Sequence, residues 1–364
     1  NGLAFLITMI ICLAIGLPLT RKKPQNKVFH AKEGAVTVAL SWIVLSMAGA
    51  FPFVISGSIP NPIDAMFETV SGFTTTGASI LSDVEALSHC MLLWRSFTHW
   101  IGGMGVLVFI LCLLPLTGGY HMNLMKAESP GPSVSKLVPK VQTTAKILYT
   151  IYLMLTVLQM ILLLIGRMPL FDTVCLTFGT AGTGGFGIKN DSIAGYSTYN
   201  QIVITVFMIL FGVNFNVYYL LLTKKVVQAA KSEEVRYYFG IIAVAIIAIA
   251  INTKGMYTSF GRAIQQAAFQ VGSIITTTGY ATTNFNVWPV LSKTILVMLM
   301  FVGACAGSTG GGIKVSRLMI LCKSARKELQ LYLHPNAVKK IKMDGKAIPH
   351  EVVRATNMFL FVYI

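Results

Sequence analysis

Three short runs in this 364-residue chain place threonine beside glycine where a backbone could coordinate a cation. They are Thr74-Thr75-Thr76-Gly77, Ala181-Gly182-Thr183-Gly184 and Thr276-Thr277-Thr278-Gly279. Glycine and small hydroxyl residues let a chain run extended with its carbonyls turned the same way. Several such runs around one axis stack rings of oxygen that replace the hydration shell of a potassium-sized ion. Each run closes an apolar segment, so the elements that hold it belong to a membrane.

Composition agrees. Hydrophobic residues make up 54% of the chain and charged residues only 12%, about half the charged share of a soluble protein. Apolar stretches recur at Leu3–Leu19, Ala35–Ile55, Trp94–Leu116, Ile147–Ile165, Ile202–Leu222, Phe239–Ile251 and Val290–Ala306. A spanning helix needs about twenty such residues. Phe239–Ile251 reaches that length only if Tyr237 and Tyr238 lie at the interface. The expected fold class is an all-α polytopic membrane protein.

The net charge of +16 is a matter of orientation. Arg21–Lys32, Lys126–Lys146, Lys224–Arg236 and Lys314–Arg354 hold 23 of the 29 Lys and Arg residues. These are alternate loops, and the positive-inside rule places them in the cytoplasm. No basic soluble domain is present, so nucleic acid is excluded as the partner and membrane lipid is expected instead. Six single cysteines, Cys12, Cys90, Cys112, Cys175, Cys305 and Cys322, show no metal or disulfide spacing and read as small apolar residues. The first apolar run lacks a charged start and a cleavage site, and reads as a spanning helix.

The chain repeats a unit: long helix, short amphipathic helix, glycine run, long helix. The short stretches are Asn61–Phe73, Pro169–Thr180 and Arg262–Ile275. They are too short to span, so they re-enter, with irregular backbone tolerated only inside protein or a wet cavity. Pro62 with Asp64, Pro169 with Asp172, and Thr258-Ser259 suit helix starts. Each short helix then directs the negative end of its dipole at a glycine run, which favours a cation there. A partial helix and cytoplasmic loop occupy 1–33. Pore repeats follow over 34–145, 146–235 and 236–345, and a fourth begins over 346–364 and stops. The chain reads as a fragment trimmed at both ends.

The third unit has a second glycine cluster, Gly303-Ala-Cys-Ala-Gly307-Ser-Thr-Gly310-Gly311-Gly312, followed by Ile313 and Lys314. Each interior glycine costs a helix about 1 kcal/mol against alanine. The helix is expected to break here in mid-membrane and resume from Ile313-Lys314, leaving a loop built from Gly303, Gly307, Gly310, Gly311, Gly312 and Lys314 to gate the pore. Close helix packing through small residues is the alternative. A phosphate-binding loop does not fit, because Ile313 separates Lys314 from the last glycine and no strand precedes it.

Several motifs resemble the Trk/Ktr family of potassium transporters, its TrkH-type membrane subunit above all. They are Ser71-Gly-Phe-Thr-Thr-Thr-Gly-Ala-Ser79, Trp100-Ile-Gly-Gly-Met-Gly105, Ala127-Glu-Ser-Pro-Gly-Pro132, Ile274-Ile-Thr-Thr-Thr-Gly-Tyr-Ala-Thr-Thr283 and the Gly303–Lys314 cluster. Separately from the resemblance, the apolar segments show no nucleophile, acid–base pair or metal-ligand set, so no enzymatic activity is expected. The resemblance implies four helix–pore-loop–helix repeats around a central pore and passage of K+ through a carbonyl filter in a bacterial inner membrane. It also implies a homodimer and a TrkA-like cytoplasmic nucleotide-binding regulatory subunit. Its potassium-binding positions map to Thr75, Thr76 and Gly77, to Gly182, Thr183 and Gly184, and to Thr277, Thr278 and Gly279. The second run departs most from the pattern. Serine at the first filter glycine goes with sodium passage in the wider superfamily, so Gly77 favours potassium.

A secondary transporter coupled to H+ or Na+, including symport, is the alternative function. Such carriers use broken helices in inverted repeats, whereas these repeats run in one direction. Glu68 is an intramembrane carboxylate that either raises cation occupancy or anchors its helix. Arg95 reads as an interface anchor or the partner of Trp94, and His99 as a packing or hydrogen-bonding residue. Asn214 and Asn216 must face protein, lining the lower pore or bridging helices.

Overall fold

The computed structural model describes residues 1–21, 31–105, 141–334 and 340–364. They are mostly helical, as backbone in lipid must be when no water is available to satisfy it. Helices α1 (Gly2–Thr20) and α2 (Ala31–Ile55) precede a short α3 (Pro62–Phe73) and α4 (His89–Gly103). Next come α5 (Val141–Ile165), a short α6 (Leu170–Ala181), α7 (Thr198–Phe211), α8 (Phe215–Leu222) and the brief α9 (Val226–Ala230). The remainder is α10 (Glu233–Thr253), α11 (Phe260–Ile275), α12 (Val290–Val302), α13 (Val315–Leu333) and α14 (His350–Tyr363). A small antiparallel hairpin, β1 (Lys342–Met343) with β2 (Lys346–Ala347), lies between the last two helices. The Ala127–Pro132 motif, Cys112 and most of the basic stretch from Lys126 lie outside the described residues.

Among the described residues, four helices are long and apolar enough to cross a membrane, at Gly2–Thr20, Lys32–Ile55, Thr143–Ile165 and Glu233–Met256. The last shows that Phe239–Ile251 is the middle of a full-length helix. The stretch expected as one span over Ile202–Leu222 is instead two helices bent by 92° at a break. The run Val290–Ala306 stops at Val302, where Gly303 turns to φ +73°. Helix resumes at Val315, slightly later than expected. The segment Trp94–Leu116 starts earlier, at His89, and is described as helix to Gly103.

The three short helices start as their sequences ask. Asn61 accepts from the Ile63 N–H at 3.0 Å with Pro62 in the first turn, Pro169 precedes α6, and Ser259 accepts from the Arg262 N–H at 3.2 Å.

The chain folds as two compact units. One holds residues 1–21, 31–105, 141–207 and 278–282; the other holds 208–277, 283–334 and 340–364. In the first, α2 packs on α1 and α3, α4 on α3 and α6, and α5 on α6. Ala50, Phe53, Ile59, Ala65 and Met91 form a core there, with Phe5 and Trp94 against it. Outward faces stay apolar, as on α1, which buries only Ala4 and turns Leu3, Leu13 and Leu17 outward. In the second unit α10 packs against α11, α12 and α13. Its core joins Tyr238, Ile242 and Ala250 to Ala267, Val271 and Ile275 of α11 and to Leu296 of α12. The fully buried alanines let α10 and α11 approach closely, since lipid supplies no hydrophobic drive between helices.

Candidate functional site

Each short helix ends in the same way. Thr74, Gly182 and Thr276 cap α3, α6 and α11 with φ of −77°, −74° and −84°. The following residue turns left-handed although none is glycine: Thr75 at φ +54°, Thr183 at +51° and Thr277 at +59°. Such backbone costs a residue with a Cβ about 1–2 kcal/mol and persists only where its surroundings dictate it. Two residues later stands a left-handed glycine, Gly77 at +75°, Gly185 at +81° and Gly279 at +86°. The closing hydrogen bonds of the first two runs match as well. The Thr76 N–H donates to the Ser71 carbonyl and the Gly184 N–H to that of Gly179, both at 2.9 Å.

By backbone conformation the equivalent triplets are therefore Thr75-Thr76-Gly77, Thr183-Gly184-Gly185 and Thr277-Thr278-Gly279. The second begins one residue later than the assignment Gly182, Thr183, Gly184 made from sequence. Gly182 still belongs to the helix end, and Gly185 takes the left-handed place. The spelling Gly-Thr-Gly suggests the other alignment, and the doubled glycine hides the shift.

In the first unit the runs lie against one another. A Cβ placed on Gly77 would collide with the carbonyl oxygen of Gly184, and one on Gly185 with that of Thr278. Each of these two glycines thus faces the carbonyl that precedes the next run's glycine. A Cβ on Gly279 meets nothing within 4 Å. Thr75, Thr76, Gly77, Gly182, Thr183, Gly184, Thr278 and Gly279 share this unit, while Thr277 falls in the other. Among the described residues no cluster of His, Cys, Asp or Glu could hold a metal ion. The Gly184 and Thr278 carbonyls stand at these contacts, and the C-terminal ends of α3 and α6 add negative potential.

A buried ion pair braces the runs. Glu68 of α3 is 1% exposed and takes Arg95 Nε at 2.5 Å, Ser79 Oγ at 3.0 Å and the Ile80 N–H at 3.1 Å. Arg95 also donates to the Gly187 carbonyl at 2.9 Å and lies over the Phe186 ring at 3.6 Å. The pair links the exit of the first run to the exit of the second. Glu68 therefore anchors, and Arg95 is its buried partner where an interface anchor had been one expectation. His99 stacks on Phe186 at 4.0 Å and accepts from the Phe186 N–H at 3.4 Å, a packing role.

The Trp100–Gly105 motif supplies close approach. A Cβ on Gly102 would strike the Phe73 carbonyl, and one on Gly103 would stand 2.5 Å from the Gly182 Cα. Farther out, Asn190 donates to Asp83 at 2.8 Å and accepts from the Val84 N–H at 2.9 Å. That amide holds the Asp83 carboxyl below its ordinary value. The Ile193 N–H donates to the Ala281 carbonyl at 3.0 Å, tying the second exit to the third.

The glycine cluster of the second unit is an ordered loop between α12 and α13. It fills the bend between α7 and α8. At that bend the Gly212 carbonyl accepts from the Cys305 N–H at 3.0 Å, the Phe211 carbonyl from Thr309 Oγ1 at 3.2 Å, and the Phe215 N–H donates to the Gly307 carbonyl at 2.9 Å. Two breaks that would each strand polar backbone in an apolar setting satisfy one another. Gly303 and Gly312, both left-handed, abut so closely that a Cβ on Gly312 would stand 2.5 Å from the Gly303 Cα. The Gly311 N–H donates to Thr277 Oγ1 at 2.7 Å, while Lys314, 2% exposed, donates to the Gly310 carbonyl. So Gly303, Gly307, Gly310, Gly311, Gly312 and Lys314 come together with Thr277. Asn214 bridges helices, accepting from the Asn216 N–H at 2.9 Å and donating to Glu234 at 3.3 Å.

Sequence reasoning passed over Gly185 and Glu234. Gly185 stands beside Gly184, and spacing alone does not choose between the two; the left-handed φ of +81° does. Glu234 looked like an ordinary acidic first turn of a helix.

A family described as "TrkH: Cation transport protein" matches residues 1–364. The "Trk system potassium uptake protein TrkH" of Salmonella typhimurium is 37% identical over 374 residues, covering 100% of this chain and 76% of that protein. The protein of the same name from Escherichia coli K12 is 37% identical over 371 residues, with the same coverage. Among solved structures, the potassium transporter TrkH from Vibrio parahaemolyticus superposes with a TM-score of 0.87 at 32% identity, covering 100% of this chain and 76% of that one. Matched over its whole length in sequence and in structure, this chain belongs to the TrkH family of cation transport proteins.

Proposed function

We propose that the chain carries potassium across a bacterial inner membrane through a carbonyl filter, with the glycine-rich loop as its gate. The filter positions are Thr75, Thr76 and Gly77, Thr183, Gly184 and Gly185, and Thr277, Thr278 and Gly279. The observation that carries this reading is the succession in which Gly77 faces the Gly184 carbonyl and Gly185 faces the Thr278 carbonyl. A side chain at either glycine displaces an oxygen that would replace ion hydration. Relatives named as Trk system potassium uptake proteins support potassium as the ion. The word "system" in those names fits a multi-component assembly, here a second copy of the chain and a TrkA-like nucleotide-binding subunit docking on the basic stretch Lys323–Lys346.

The test is Gly77→Ser in the complete protein, produced in cells without other potassium uptake. Uptake of rubidium relative to sodium falls if the filter is as proposed. An unchanged ratio with normal expression refutes it.

A further inference from the structure

The two ends of the glycine-rich loop meet at one side chain. Glu234, in the first turn of α10, is 6% exposed. Its Oε1 accepts from the Ala306 N–H at 2.6 Å and from the Ser316 N–H at 3.2 Å. Its Oε2 accepts from Asn214 Nδ2 at 3.3 Å. Ala306 lies just inside the loop's entry and Ser316 just beyond its exit, at the start of α13. Asn214 caps α8 at the bend that the loop fills. One carboxylate therefore ties three breaks in helical structure together.

The loop's other contacts are weaker in kind. Apart from the Lys314 contact to Gly310, the side-chain hydrogen bonds of Ser308, Thr309 and Gly311 are between neutral groups, each contributing less than a bond to a charged acceptor. Space to move is available. A cavity of about 810 Å³ lies beside the carboxylate, lined by Asn214, Glu233, Glu234, Ala306, Ser316 and Asp344 among others. A loop released at Ala306 and Ser316 has room on that side.

We infer that Glu234 is the positioning residue that latches the loop in its closed place, so that loss of this carboxylate shifts the loop toward an open population. The inference rests on the reading of the loop as a gate. It concerns how much ion passes, and leaves untouched which ion passes, because every contact of Glu234 named above is to the loop, its flanking helix or the bend.

The experiment uses the full-length protein in proteoliposomes with Glu234→Ala, Glu234→Gln and a partial deletion of Gly307–Gly312. Three readouts are taken: rubidium flux, the rubidium-to-sodium ratio, and the labelling rate of Cys305 by a small thiol reagent. Labelling is done with the chain's other cysteines replaced, except for Cys175, which is buried in the first unit and serves as control. Cys305 is itself fully buried in the loop.

Glu234→Ala is expected to raise flux about tenfold, as loss of a hydrogen bond to a charged group does to a two-state balance. Cys305 labelling rises in parallel, while the ion ratio and Cys175 labelling stay as in wild type. Glu234→Gln keeps an acceptor oxygen for Ala306 and Ser316 and gives a smaller rise. Wild-type or lower flux in Glu234→Ala, with unaltered Cys305 labelling, overturns the latch. If the loop deletion raises flux in that case, the gate survives and only the latch is wrong. If the deletion also leaves flux unchanged, the gate reading fails with it. Should Glu234→Ala not reach the membrane, Glu234→Gln decides by the same readouts.

Discussion

The backbone register of the second run can be tested at a single methyl group. Gly185 is left-handed at φ +81°, and a Cβ there would overlap the Thr278 carbonyl oxygen and stand 2.9 Å from its carbon. Gly185→Ala therefore brings two penalties. The left-handed backbone alone costs about 1–2 kcal/mol once a Cβ is present. The overlap is with backbone, which cannot rotate away, so the Thr278 carbonyl must swing from its direction. Distortion of the run relieves both, and a shift of about 1.4 kcal/mol is tenfold in an equilibrium. Discrimination of rubidium over sodium should fall by about tenfold or more in reconstituted full-length protein.

Gly184→Ala separates the two registers. A Cβ on Gly184 meets the imidazole of His99, a side chain, within 2.4–2.5 Å. Adding His99→Ala opens space, so the double variant should recover selectivity that Gly184→Ala loses. The same second change gives Gly185→Ala nothing, because its obstacle is a backbone carbonyl. Wild-type selectivity in Gly185→Ala, or its rescue by His99→Ala, would refute the register.

Removing one partner of the buried pair, by Arg95→Met or Glu68→Gln, should destabilise the protein by about 3–5 kcal/mol, since an uncompensated polar or charged group remains buried. The Arg95→Met, Glu68→Met double variant should recover part of that loss, read as melting temperature in detergent. Thr277→Val removes the acceptor of the Gly311 N–H at 2.7 Å; rubidium flux in proteoliposomes should rise severalfold, and a normal flux would show that this contact does not restrain the loop. Asp83 is held below its ordinary value of 3.8 chiefly by Asn190. Its contribution is fully present above that value and is lost as pH falls through the lowered folded value. Exchange protection of the Val84 amide should drop over that window, and Asp83→Asn should abolish the drop.

Much of this architecture was legible because membranes constrain sequence so tightly. Length and apolarity located the long helices at Gly2–Thr20, Lys32–Ile55, Thr143–Ile165 and Glu233–Met256, though not the 92° bend inside the Ile202–Leu222 stretch. Proline or a polar cap before each short stretch located the three short helices. The glycines of the first and third runs were legible for a related reason. Left-handed backbone is most easily adopted without a Cβ, so glycine at Gly77 and Gly279 follows threonines in a repeated order.

What sequence leaves open are matters of phase and partnership. Spacing alone does not set the register of a run such as Ala181–Gly185, where several small residues could each fill the left-handed place; the shared φ angles and closing hydrogen bonds select Gly185. Glu68 and Arg95 are 27 residues apart and Glu234 and Ala306 are 72 apart. No local pattern connects them, because a hydrogen bond depends on position in space and a sequence records only order along the chain. The runs of threonine and glycine were therefore determined by the sequence as candidate ion ligands. Which carbonyls Gly77 and Gly185 face, and which carboxylate bonds the loop at Ala306 and Ser316, was decided by tertiary packing alone.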